Sequence, residues 1–294
     1  MLTKNQLGLF CMFLSVCAFS VMDLLVKWSG DYPTGQVLFF RGFFGILPTY
    51  FFIPKDKLRT FYKTKRPKEH LFRCIIGLVA LVAIVIALRE LPLAIVVSLS
   101  YAAPLFITIL SILLLSEKVG IFRWAAVLIG FIGVVVISEP GFKEMNFLYF
   151  LPIIFCIGMA FVTIAIRKLS TTEPTWLISI FFTITISIAG LTTIPMGWVM
   201  PNFQDFILLA LIGVTGGAAN LLLTQSYKLS EVSLVAPLKY LSLVFAIIFG
   251  YMIWNEIPTL KTLIGASLVI LSSFVIFRRE IYHKETIPSN IRHE

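Results

Sequence analysis

Asp23 and Lys27 stand four positions apart inside one apolar run, Arg41 sits inside a second, and Lys239 inside a third. An ionisable side chain at membrane depth is costly unless paired or hydrated, so each of these groups is a candidate for binding or coupling chemistry. At i and i+4, Asp23 and Lys27 share a helical face and can form an ion pair. Lys27, nearer the helix end, can equally snorkel to the interface. The Arg41 guanidinium is a planar fork of donors suited to a carboxylate or phosphate, supplied either by Asp23 or by a substrate. Facing one cavity, Asp23, Lys27, Arg41 and Lys239 would leave positive charge in excess and favour a ligand with an anionic or electron-rich group. Tyr101 and Tyr240 offer aromatic walls for planar or cationic groups, and Asn220 and Gln225 offer amides. The plainer alternatives are interfacial tyrosines and amides that bridge helices.

The elements that hold these residues must live in lipid. With 59% hydrophobic and 13% charged residues and a mean hydropathy of +0.95, the 294-residue chain has too little polar cover for a soluble domain. About 20 apolar residues cross the hydrocarbon core as a helix. The pattern predicts an all-α, polytopic membrane protein of ten transmembrane helices at 7–28, 33–53, 70–89, 92–116, 119–138, 147–168, 174–198, 205–228, 231–254 and 259–278. The first carries Asp23 and Lys27 and lacks a small-x-small cleavage site, so it is expected to be retained rather than removed as a signal peptide. Pro104 and Pro237 are expected to kink the fourth and ninth helices. The run Gly213, Gly216, Gly217 in the eighth marks either a tight packing seam or a place that bends.

The chain also repeats itself. Shifting Ser98–Gly133 by 139 positions lays Tyr101 on Tyr240, Ser116-Glu117 on Asn255-Glu256, Ala126 on Gly265 and Gly133 on Ser272. Such a period implies a duplicated unit. With five spans in each, the second copy must sit upside down relative to the first, the inverted-repeat build that encloses a site near mid-bilayer. The expected organisation is a first repeat at 1–138, a second at 139–278 and a polar cytoplasmic tail at 279–294.

A net charge of +9 would suggest nucleic acid in a soluble protein, but its placement excludes that partner. With the amino terminus in the cytoplasm, 18 of the 24 Lys and Arg fall on that side, eight of them between Lys55 and Arg73. This asymmetry puts both termini in the cytoplasm and makes the basic loop a topology anchor. Cys11, Cys17, Cys74 and Cys156 all lie in predicted spans, and neither they nor the three histidines have metal-ligand spacing. No metal, cofactor or nucleotide-binding loop is expected.

On these marks the sequence resembles the drug/metabolite transporter superfamily, in its EamA-type branch of ten-helix carriers. The marks are Asp23 with Lys27, Phe39-Phe40-Arg41, the Pro104–Glu117 segment, Ala236-Pro237-Leu238-Lys239-Tyr240 and Trp254-Asn255-Glu256. The A-P-x-[KR]-Y element is similar to S-adenosylmethionine carriers, and M-D-x-L-V-K with F-F-R is similar to riboflavin carriers. The resemblance implies that Glu117 and Glu256 cap helices rather than carry transport chemistry. The function expected is secondary-active transport of a small organic metabolite across the inner membrane by alternating access. Proton coupling, exchange and facilitated diffusion stay open, as does a homodimer. The alternative is an integral-membrane enzyme such as a lipid-linked transferase, which would need clustered acids, a metal or an activated nucleophile. A scaffold or receptor gives no reason for charges in both halves.

Overall fold

The computed structural model describes residues 3–29, 32–57, 63–90, 99–100, 102–117, 119–138, 148 and 150–254, together with 260–272 apart from 262, 266 and 269. The described chain is almost wholly helical, and no strand occurs among the described residues. The first half contributes α1 (Lys4–Trp28), α2 (Thr34–Phe51), α3 (Pro67–Glu90), α4 (Ala103–Leu115) and α5 (Ile121–Ser138). The second contributes α6 (Phe150–Leu169), α7 (Thr175–Leu191), α8 (Phe203–Leu229), α9 (Val232–Val235) and α10 (Leu241–Trp254), with further helical residues between 260 and 272. By length and composition Lys4–Val26, Phe150–Leu169 and Phe203–Leu229 can each cross a membrane, and shorter apolar helices accompany them.

Local chemistry sets the boundaries. A capping box starts α1: the Gln6 amide N–H donates to the Thr3 hydroxyl, and the Thr3 N–H donates to the Gln6 side chain at 3.0 Å. The seventh span was expected to reach 198, but α7 stops at Leu191. Thr192 and Thr193 turn their hydroxyls back onto the Ala189 and Gly190 carbonyls, and Pro195 cannot continue the ladder. The prolines of the fourth and ninth spans lie at helix restarts. Pro104 occupies the first turn of α4. Pro237 opens a 3₁₀ stretch, Ala236–Tyr240, that joins α9 to α10, so these three pieces form one broken span.

Packing follows a rule of exchange. Helix α1 lies along α8 as α3 lies along α6; α2 meets α8 as α3 meets α7; and α4 meets α6 as α10 meets α1. In these three cases, moving five spans along the chain carries one contact into the other. The tightest seam is α2 against α7 and α8. A Cβ on Gly217 would run into the Gly45 backbone, one on Gly42 into Ser187, and one on Gly190 into Phe39. The glycines of α8 are thus packing residues in a helix that runs unbroken from Phe203 to Leu229.

Hydrogen bonds tie the halves at both ends of the bundle. At the end bearing the α1–α2 connection, the Tyr32 hydroxyl donates to Asp205 at 2.8 Å; this bond, above all, raises the phenol above its ordinary range. There Gln36 also exchanges two bonds with the Val199 backbone, at 2.6 and 3.1 Å. At the opposite end Glu117 accepts from the backbone N–H groups of Val232 and Ser233 at 2.8 and 3.0 Å. Glu173 accepts from the Thr64 hydroxyl and the Lys65 N–H, both at 2.7 Å. The expected structural role of Glu117 is therefore realised across the halves: it ends the fourth span and caps the first turn of the ninth. Glu256, its repeat mate, lies outside the described residues.

Candidate functional site

Helix α8 is the spine of the site. Gly216, Asn220 and Tyr227 fall at i, i+4 and i+11, on one stripe of that helix. Each meets a cationic side chain from a different span. A Cβ on Gly216 would run into Met22 Sδ at 2.8 Å and would lie at ordinary contact distance, 3.6 Å, from Cγ and Nε of Arg41, so the guanidinium stem from α2 passes beside this glycine. One turn on, Arg73 of α3 donates from Nη2 to Asn220 Oδ1 at 3.3 Å. Further along, Lys239 holds its Nζ 5.5 Å from the Tyr227 ring centroid, a contact that suits an ammonium over an aromatic face.

Asp23 faces Arg41. On α1 it continues the inward stripe of Met12, Val16 and Phe19, at spacings of four and three. Met12 and Val16 are core residues, and Phe19 packs against two apolar clusters. Asp23 itself is exposed and Arg41 is half-buried. Asp23 thus keeps accessible surface on a stripe that begins in the packed core. The two charges interact electrostatically, and among the described residues no contact ion pair engages either. Their link is electrostatic.

The remaining expected residues divide. Asn220 is buried and shared with Arg73. Gln225 accepts a hydrogen bond from Thr175 Oγ1 at 2.5 Å, a bridge between α7 and α8. Tyr240 is fully buried, with its ring laid over Gly130 of α5 and Ser272 beside it. The Lys27 side chain and Tyr101 lie outside the described residues. Near Lys239 and Tyr240, Cys156 donates its thiol to the Leu99 and Ser100 carbonyls at 3.2 and 3.3 Å, tying α6 to the fourth span.

Arg73 was counted from sequence among the anchors of the basic loop, and that assignment is corrected here. It is only 1% exposed, about 9 Å along α3 from its start at ~1.5 Å per residue. Phe182 of α7 stacks beneath it, with Cζ 3.6 Å from the ring centroid. A signal existed. His70, Arg73, Cys74, Gly77, Ala80, Ala83 and Ala87 form the buried stripe of α3, and Leu71, Phe72, Ile75, Val79, Val82 and Ile86 form its exposed face. Traced backwards, the small residues of that stripe lead straight to the arginine.

A helical bundle with apolar outer faces and charged residues on inward stripes is the build of a multi-pass membrane transporter. Residues 6–139 and 146–278 each match the EamA-like transporter family, and the chain belongs to it. It is similar to the S-adenosylmethionine uptake transporter of Rickettsia prowazekii, at 29% identity over 94% of this chain and 95% of that protein. It is similar also to the pseudopaline exporter of Pseudomonas aeruginosa, at 26% identity over 92% and 96%. A solved crystal structure superposes with a TM-score of 0.79 over 95% of this chain and 99% of the other, at 18% identity, and so shares the fold. The protein is a transporter and not an enzyme.

Proposed function

We propose that this chain carries a small organic metabolite across the inner membrane by alternating access, with two inverted halves, residues 1–138 and 139–278, rocking about the space beside α8. The observation that carries this reading is the facing pair of Asp23 and Arg41, charged groups on inward stripes that keep accessible surface. Arg41 and Lys239 supply positive charge, Asp23 the opposing acid and Tyr101 aromatic surface; Lys27 and Asn220 complete the polar lining, while Gln225 bridges α7 to α8 and Tyr240 packs over Gly130 behind it. Such a pocket favours a ligand with an anionic, zwitterionic or aromatic group: S-adenosylmethionine, riboflavin or an amino-acid-like solute. The similarity to carriers named for S-adenosylmethionine and for pseudopaline supports an amino-acid-like solute over a neutral one. Asp23 is the candidate proton carrier, and both termini lie in the cytoplasm.

Uptake of labelled S-adenosylmethionine, riboflavin and amino acids into proteoliposomes, with and without a pH gradient, tests the proposal. Protein-dependent flux of at least one of these solutes is expected. Flux no greater than in protein-free vesicles for every member of the panel would refute it.

A further inference from the structure

The guanidinium of Arg73 is a cation with donors to spare. Nη2 reaches Asn220 Oδ1, but Nε and Nη1, although buried, have no hydrogen-bond partner. The second amide atom of Asn220, Nδ2, is likewise buried and unpartnered. These are all donors. They come from α3 and α8, and they meet where Phe182 of α7 covers the guanidinium. Phe182 stabilises the charge from one side without accepting an in-plane hydrogen bond. Among the described residues no carboxylate pairs with Arg73. Its polar neighbours are His70, which is itself buried with both ring nitrogens unpartnered, and the adjacent Cys74 thiol, a weak acceptor within reach of the guanidinium. Of the two acids that act on His70, Glu173 is occupied by Thr64 and Lys65 and Glu69 is exposed in the first turn of α3.

Arg41 differs. It has Asp23 as an electrostatic partner, and Arg167 spends its Nη1 on the Tyr227 and Lys228 carbonyls; among the described residues Arg73 has neither an acid nor a backbone carbonyl. Buried donors without acceptors are costly, and a fixed cation without an anion more so. Such an arrangement is kept where a ligand supplies what is missing.

We propose that Arg73 and Asn220 form a carboxylate-binding subsite, one α8 turn from the Asp23–Arg41 level, and that the transported solute carries a carboxylate held there. The inference rests on the transport reading and narrows its substrate class. A planar guanidinium fork beside an amide N–H₂ matches the two oxygens of a carboxylate. A lipid headgroup is the wrong source, because Arg73 lies on the inward stripe of α3, opposite the exposed face of Leu71, Ile75 and Val79.

The test uses the full-length protein in detergent free of anionic lipid, with acetate as the probe. Thermal unfolding is followed in sodium acetate and in sodium chloride at equal ionic strength for the wild type, Arg73→Lys and Arg73→Met. The wild type should melt several degrees higher in acetate, Arg73→Lys should keep only part of that rise, and Arg73→Met should lose it while melting in chloride no lower than the wild type. An acetate rise that is absent in the wild type, or unchanged in Arg73→Lys, would overturn the subsite. So would an Arg73→Met protein that melts far below the wild type in chloride, because the guanidinium would then be a structural tie. Acetate protection without uptake of any metabolite would count against the transport reading alone, and uptake without acetate protection against the subsite alone.

Discussion

Arg41 lies beside Gly216 with Asp23 as its electrostatic partner, and each predicts a different failure. Arg41→Ala should remove a charge-assisted hydrogen bond to the solute, worth about 1.5–3 kcal/mol, and so cut proteoliposome flux by roughly tenfold or more. The protein should still elute as a folded species in size-exclusion chromatography, because Arg41 makes no contact ion pair among the described residues. Normal flux would remove it from the site. Asp23→Asn keeps the shape but cannot bind and release a proton. Gradient-driven accumulation should collapse to gradient-independent equilibration, and persistence of accumulation would take the proton role from Asp23. Asp23 and Arg41 were visible in the sequence because a charge inside an apolar run has no plain explanation. Arg73 was not, because it follows directly on a basic loop, and only the stripe of small residues on α3 separates an inward arginine from an anchor. The pairing of Gln225 with Thr175 was equally hidden: an amide in a span announces a partner but not which one.

At the scale of elements, the seams and caps govern stability. Gly217 abuts Gly45 so closely that even a methyl group meets the α2 backbone. Gly217→Ala should therefore force α2 and α8 apart at a cost of about 1–3 kcal/mol, read as a lower melting temperature in detergent; an unchanged melt would mean that the seam can relax. Glu117→Ala removes the carboxylate from the N–H groups of Val232 and Ser233. A lost cap costs about 1 kcal/mol, and the start of the ninth span should show faster amide exchange, whereas unaltered protection there would deny the cap its role. Spans were legible from hydropathy and proline breaks from composition. The early end of α7 was not, because threonines that close a helix onto its own carbonyls look like ordinary members of an apolar run.

For the molecule as a whole, the 139-residue period in the sequence and the exchange of helix contacts five spans apart support the proposed duplication. The hydrogen bonds from Tyr32 to Asp205 and from Gln36 to Val199 hold the halves at one end, and those of Glu117 and Glu173 hold them at the other. A carrier that opens alternately must release one set while keeping the other. The proposed motion requires the halves to be mutually inverted, and that can be read directly. Single cysteines at positions 118 and 257, repeat mates just beyond Glu117 and Glu256, would be introduced into protein freed of its native cysteines and labelled with a membrane-impermeant maleimide in intact and opened cells. We predict that position 257 labels from outside and position 118 only after the cells are opened. Labelling of both from the same side would contradict the inverted arrangement, and with it the chamber that α8 is proposed to line.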